Sequence, residues 1–336
     1  MQHAFAPRSS SSSDYTPAER RQVSLLRKNS LHELGAPTAE VTAACAEESD
    51  PLLRIHLSDI SRCPDLYPVF ESSPSICSLD LRFKTSFSSY EDISKRGLNV
   101  RDANMLANCF RISQCLIQLR LPNNNITDDI ITALFPGLFC CMQLVELDLS
   151  FNKISDLGAK LLSNMLRSEF CLTDLDLSHN DITSYGCNRL SFRLKDTLSL
   201  QNLNLSVNRI DDSGAIDLFK ALSANQTVLS IALSSNRITH TSLASLTNLV
   251  QQNHTIVTVD LSGNEFRRPI SDDDFSDFIG SLASNPSKPH IDLRGCGLTP
   301  SQKTMLDAIL HANTENSDKY TILPSKLFSL PPQLVG

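Results

Sequence analysis

The chain has no tryptophan among its 336 residues and only eleven glycines. So sparse a glycine supply matches the lack of a phosphate-cradling or dinucleotide-binding loop, and neither GxSxG nor HExxH occurs. No run of roughly 18 apolar residues is present to span a bilayer. The N-terminus, with its Ser9 to Ser13 run, lacks the apolar stretch of a signal peptide, so an intracellular protein without membrane insertion is expected. The ten cysteines form no CxxC pair and have no histidines nearby. Neither a zinc site nor a disulfide framework is legible, and buried thiols are expected. The net charge of -7 comes without a clustered basic face in the middle of the chain, which argues against nucleic acid. No cofactor, metal or small-molecule substrate is predicted. Asp272 to Asp274 read as dipole partners at a helix start, and His179 reads as a solvated loop residue rather than a general base.

What the chain does have is a repeat. The pattern LxxLxLxxNxI, set by Leu116, Leu119, Leu121, Asn124 and Ile126, returns 28 residues later at Leu144, Leu147, Leu149, Asn152 and Ile154. Asparagine then falls at Asn180, Asn208, Asn236 and Asn264 in the same 28-residue step. The L-x-L part suits a short strand that alternates its side chains between core and surface. The asparagine follows as a turn residue whose amide can bond unpaired backbone groups, so these six positions predict a structural ladder. Behind each strand lies a helical period, as in Ile131, Leu134 and Leu138, then Ala159, Leu162 and Leu166. Gly158, Gly186 and Gly214 recur at the helix starts, where compact turns are expected to need them. One strand and one helix per unit predict an α/β solenoid, a horseshoe with a parallel concave sheet and convex helices.

The same columns survive a step of 32 residues from Ile256 to Lys288, and reappear upstream at Leu79 and Leu81 and at Leu52, Ile55 and Leu57. The count is about eight repeats of 28 residues over a domain of residues 49–313, with irregular terminal units. Residues 1–48 are rich in Ser, Ala, Pro and Glu and read as mostly disordered, with a short basic helix possible over residues 16–34. In that segment Ser24 and Ser30 each follow an arginine by three residues, which resembles a basophilic kinase target but also arises by chance. Residues 314–336 form a tail read as a strap over the last repeat or a linear motif.

The surface that carries information is the inner sheet. Its outward positions include Gln118, Arg120, Glu146, Asp148, Asp174, Asp176, Asn202, Asn204, Asp260 and Asp292. This acidic and polar strip without aromatics fits a basic segment of another protein, although LDLSxN is also what such repeats commonly carry.

With these motifs laid out, the chain resembles the ribonuclease-inhibitor-type leucine-rich repeats over roughly Leu52 to Asn313. Within that class it is similar to the leucine-rich-repeat subunit of the axonemal nexin-dynein regulatory complex, the t-complex-associated testis-expressed family. The likeness lies in SLDLRF at Ser78 to Phe83, DANMLANCF at Asp102 to Phe110, LRLPNNNITDD at Leu119 to Asp129 and the closing IDLRGCGL at Ile291 to Leu298. The resemblance implies a non-catalytic scaffold of the ciliary or flagellar axoneme, with other subunits of that complex as partners. Two alternatives stay open: a GTPase regulator of the Ran-activator type, which the weakly acidic tail disfavours, and a cytosolic inhibitor or adaptor for a basic partner.

Overall fold

The structure is a computed structural model that describes residues 53–60, 63–73, 75–83, 97–113, 115–264, 266 and 270–315. The expected basic helix over residues 16–34, Ser24, Ser30 and most of the 314–336 tail lie outside the described residues.

Among the described residues nine strands form one parallel sheet in strict chain order. They are β1 (Leu53–Ile60), β2 (Ile76–Phe83), β3 (Gln118–Arg120), β4 (Glu146–Asp148), β5 (Asp174–Asp176), β6 (Asn202–Asn204), β7 (Ser230–Ala232), β8 (Thr258–Asp260) and β9 (His290–Asp292). The irregular units expected at both ends of the array pair with the sheet, in keeping with a solenoid of about eight repeats. The helices behind them are α1 (Tyr67–Ser72), α2 (Val100–Ile112), α3 (Asp128–Leu138), α4 (Asp156–Leu162), α5 (Ser184–Leu194), α6 (Asp212–Ala224), α7 (Leu243–Gln252), α8 (Asp272–Ser284) and α9 (Pro300–Glu315). Each packs on the next. The short α1 was not visible in the hydrophobic period. No helix among the described residues is long and apolar enough to cross a membrane.

The pattern dictates the core. Leu119, Leu147, Leu175 and Leu203 pair side by side across β3 to β6 and are buried with the helix columns Leu134, Leu162 and Leu190 in one continuous cluster. A three-residue strand exposes too little surface to stand alone, so each unit depends on its neighbours. Of the cysteines, Cys77, Cys109, Cys141, Cys187 and Cys296 are buried, but Cys115, Cys140 and Cys171 are exposed, which corrects the expectation of buried thiols throughout. Burial pushes the Cys187 thiol up to about 12.

The asparagines bind unit to unit. The Asn180 side-chain amide donates to the Leu149, Leu177 and Ser178 carbonyls at 3.0, 3.1 and 3.0 Å, and its Oδ1 accepts from the Ile154 N–H at 2.9 Å. Asn152 and Asn208 repeat the set, each reaching back to the unit before. The residue ahead of each ladder position is left-handed, at Asn123, Phe151, His179, Val207, Ser235, Gly263 and Gly295. At the last unit Cys296 stands in the asparagine's place and its thiol donates to the Leu261 carbonyl at 3.1 Å.

Two further ladders were not read from the sequence. Asp156 of α4 accepts from the Thr183 N–H at 2.8 Å, the Thr183 hydroxyl at 2.7 Å and the Gly186 N–H at 3.0 Å, thereby capping the start of the next helix. Asp128 does the same for Ser155 and Gly158, and Asp212 bonds Thr239. On the opposite edge Asn225, Asn253 and Asn285 donate to carbonyls of the preceding unit. The helix-start glycines therefore have a different cause from the one expected. None of the three has a positive φ; a Cβ on Gly158 would lie 2.7 Å from Asp128 Oδ1 and 2.6 Å from Ile154 Cγ2, so glycine is needed for close approach.

Two outcomes follow for stability, both readable by denaturant unfolding. Asn180→Ala should cost on the order of 1–3 kcal/mol by stranding a buried N–H, and Asn124→Ala should cost less because the Asn124 Oδ1 has no partner among the described residues. Equal losses would deny the ladder its accepting half. Gly158→Ala should destabilise by about 1–3 kcal/mol. Gly280→Ala, in α8 with open space around it, should instead gain up to about 1 kcal/mol of helix propensity.

Candidate functional site

The outward residues of β3 to β6 stand in register, Gln118 beside Glu146, Asp174 and Asn202 in one row, and Arg120 beside Asp148, Asp176 and Asn204 in the next. Parallel pairing thus sets Glu146 directly against Asp174 and Asp148 against Asp176. Like charges in such positions oppose the sheet. Together with Arg82 these residues, Gln118 apart, line a shallow hollow of about 180 Å³.

The partners of each carboxylate separate structural from available charge. Glu146 is committed: it accepts from Arg120 Nε at 2.6 Å and Gln118 Nε2 at 3.1 Å. Asp80 is held by Arg82 Nε and Nη2 at 3.0 and 2.9 Å, with His56 Nδ1 3.1 Å away. Asp292 is held by Arg294 at 2.6 Å. Burial pushes the Asp292 carboxyl up, but the bonds from Arg294 outweigh it and leave it below the ordinary carboxylate value. Arginines thus neutralise carboxylates at both ends of the acidic and polar strip expected from the sequence, and Arg82 and Arg294 were not among the residues foreseen there.

Between those ends Asp148, Asp174 and Asp176 have no cationic side chain in ion-pair contact among the described residues. Their hydrogen bonds come from neutral donors. Asp148 Oδ1 accepts from the Ser150 N–H at 2.9 Å and its hydroxyl at 2.7 Å. Asp176 Oδ1 accepts from the Ser178 N–H at 2.8 Å, and its Oδ2 from Asn204 Nδ2 at 3.0 Å. Asp174 Oδ1 accepts from Asn202 Nδ2 at 2.7 Å. Asn204 and Asp260 make the same bond to the N–H two residues on, so one oxygen at each of these positions closes the turn after the strand. That explains why a repeat of this kind favours Asp or Asn at the position. The second oxygen of Asp148 is left for the surface, and that of Asp176 is shared with the Asn204 amide.

Burial and the neighbouring Asp148 push the Asp176 carboxyl up to about 6. Farther along, Ala232 is buried and uncharged, which sets Asp260 apart from the group.

His179 is not the solvated residue expected. Its ring stacks on Phe151 with centroids 3.8 Å apart, and desolvation lowers its pKa. The 28-residue spacing of Phe151, His179 and Val207 was the available signal, one column away from the asparagines. No grouping of His, Cys, Asp or Glu with the geometry of a metal site occurs among the described residues.

A single parallel sheet faced by helices, with an asparagine ladder and a polar open face, defines a leucine-rich-repeat solenoid. Residues 140–163, 170–190 and 198–219 match the leucine-rich-repeat family model. Among solved structures the chain is similar to leiomodin-1 actin-binding site 2, with 19% identity and a TM-score of 0.41 over 47% of this chain and 89% of that one. No curated protein matches the sequence.

Coupling between the two central carboxylates can be checked directly. Asp148→Asn should lower the Asp176 midpoint from about 6 yet leave it above 3.8, since burial is the larger cause. Carbon-detected NMR titration reads the midpoint, and an unmoved value would mean that the two carboxylates do not sense each other.

Proposed function

We propose that this chain is a non-catalytic protein-binding scaffold that takes a basic segment of another protein across the hollow of Asp148, Asp174 and Asp176. The observation that carries this reading is the run of adjacent carboxylates with neutral donors only. Like charges side by side on a sheet cost stability, and a partner's Lys or Arg adds the countercharge that Arg82 and Arg120, bonded to Asp80 and Glu146, supply only in part. The solenoid itself favours the role, because stacked units make one long rigid face without needing a lid or cleft.

The particular setting we propose is a cytoskeletal assembly in the cytoplasm, the ciliary or flagellar axoneme, with the chain as a structural or regulatory subunit of the nexin-dynein regulatory complex. Support for that setting is the local likeness in Ser78 to Phe83, Asp102 to Phe110, Leu119 to Asp129 and Ile291 to Leu298.

The test is retention of the tagged full chain on demembranated flagella. Asp148→Asn with Asp176→Asn should cut the retained fraction about tenfold, a loss of roughly 1.4 kcal/mol, while leaving the melting temperature nearly intact. The pH dependence has a definite sign. A cationic partner favours the charged carboxylate, so retention should weaken as pH falls through about 6, where Asp176 takes up a proton. Retention indifferent to the double substitution would place the contact elsewhere, and a chain that stays soluble would remove the axonemal setting.

A further inference from the structure

The column ahead of the asparagine ladder carries an unusual choice of residues. Left-handed backbone suits glycine and is tolerated by asparagine, and the column uses Asn123 at one end and Gly263 and Gly295 at the other. Between them it holds Phe151 at φ 56°, His179 at φ 52° and Val207 at φ 54°; histidine is at home in this conformation, but bulky phenylalanine and β-branched valine are strained by it. Burial does not repay the strain, since Phe151 is 41% and Val207 37% exposed. Backbone bonds set these residues in adjacent rows: the Phe151 N–H donates to the Ser178 carbonyl at 3.0 Å, His179 to Ser206 at 2.9 Å and Val207 to Ser234 at 2.8 Å.

The position of the bulky stretch is the second observation. Phe151, His179 and Val207 each follow by three residues Asp148, Asp176 and Asn204, which line the hollow. Phe151 and His179 therefore occupy the two units of Asp148, Asp174 and Asp176, and Val207 the next, where Asn202 and Asn204 line the same hollow, whereas the left-handed column reverts to serine and glycine in later units. Sequence reading found no aromatic on this face because it followed only the strand positions.

We propose that Phe151, His179 and Val207 form an apolar docking edge for the same partner segment, which must carry an aromatic or aliphatic side chain beside its Lys or Arg residues. The inference rests on the reading of the hollow as a site for a basic segment and adds its second specificity element. The carboxylates orient the segment by charge, and the edge discriminates among basic segments by apolar contact, with the Phe151–His179 stack presenting a flat surface.

The probe is a displayed library of short random peptides selected on the immobilised full chain, followed by anisotropy titration of the enriched peptides. Three proteins are compared: the natural chain, Asp148→Asn with Asp176→Asn, and Phe151→Asn with Val207→Asn. Asparagine already occupies this column at Asn123, so the last variant should keep or raise the melting temperature while losing peptide affinity about tenfold or more. Opposite signs for stability and binding are what a purely structural role cannot give. Should Phe151→Asn lower the melting temperature, Val207→Asn alone, which leaves the ring stack in place, repeats the measurement. Enriched peptides that pair Arg or Lys with an aromatic or aliphatic residue, and that lose affinity in both variants, support the proposal. Basic peptides weakened only by the Asp variant overturn the edge and leave the hollow standing. Peptides without basic residues, or weakened by neither variant, overturn both. If charge reversal at Arg20, Arg21, Arg27 and Lys28 raises peptide affinity about tenfold, the chain's own N-terminal segment is the occupant and the external partner falls.

Discussion

From Asn152 onward each ladder asparagine satisfies backbone groups in two units at once, and the rest of the molecule is arranged around that bond set. A three-residue strand followed by a tight turn leaves amides and carbonyls that neither the helix nor the sheet can reach. Burying them without partners would cost more than the apolar core of a single unit returns. Asn180 resolves this by donating to Leu149, Leu177 and Ser178 and accepting from Ile154. The leucine columns then stack because the turns stack. The Asp128, Asp156 and Asp212 bonds at the helix starts, and Asn225, Asn253 and Asn285 at the helix ends, fix the other two corners of the unit.

With the corners fixed internally, the sheet face is free to vary, and it varies unevenly. At the two ends arginines neutralise Asp80 and Asp292, and Arg120 takes up Glu146, so those positions are closed circuits. In the middle Asp148 and Asp176 each give one oxygen to the turn; the other oxygen of Asp176 accepts from Asn204, while Asp148 keeps its other for the hollow. A conserved-looking repeat letter can thus serve the fold with half of its chemistry and a partner with the other half. The partition is visible only atom by atom, which is why the letters LDLS cannot by themselves assign a role to the aspartate.

Much of the fold was legible because its cause is periodic. A column that returns every 28 residues announces both the strand register and the helix face, and the pairs Glu146 with Asp174 and Asp148 with Asp176 are that arithmetic made spatial. What escaped was chemistry between columns. Gly158 looked like a turn residue because its neighbour across the unit boundary, Asp128, lies 30 residues away in the chain. Arg120 looked like one polar letter among acids, while its bond to Glu146 removes that acid from the available charge. His179 looked solvated because Phe151, the ring it stacks on, belongs to another unit.

The ladder also gives the array a grain. Every asparagine from Asn152 onward reaches toward the preceding unit, through Leu121, Leu149, Leu177, Leu205 and Leu233, and none reaches the unit that follows. A lesion at one turn therefore strands groups on its N-terminal side and spares those on its C-terminal side. Cys296, whose thiol still donates to the Leu261 carbonyl, closes the row as a thiol in place of an amide. Fraying that begins at the C-terminal end takes from the unit before it the acceptor of a turn N–H, as Asn180 Oδ1 is for Ile154, whereas loss of a unit at the N-terminal end takes from the asparagine behind it one of several carbonyls, as Leu149 is for Asn180.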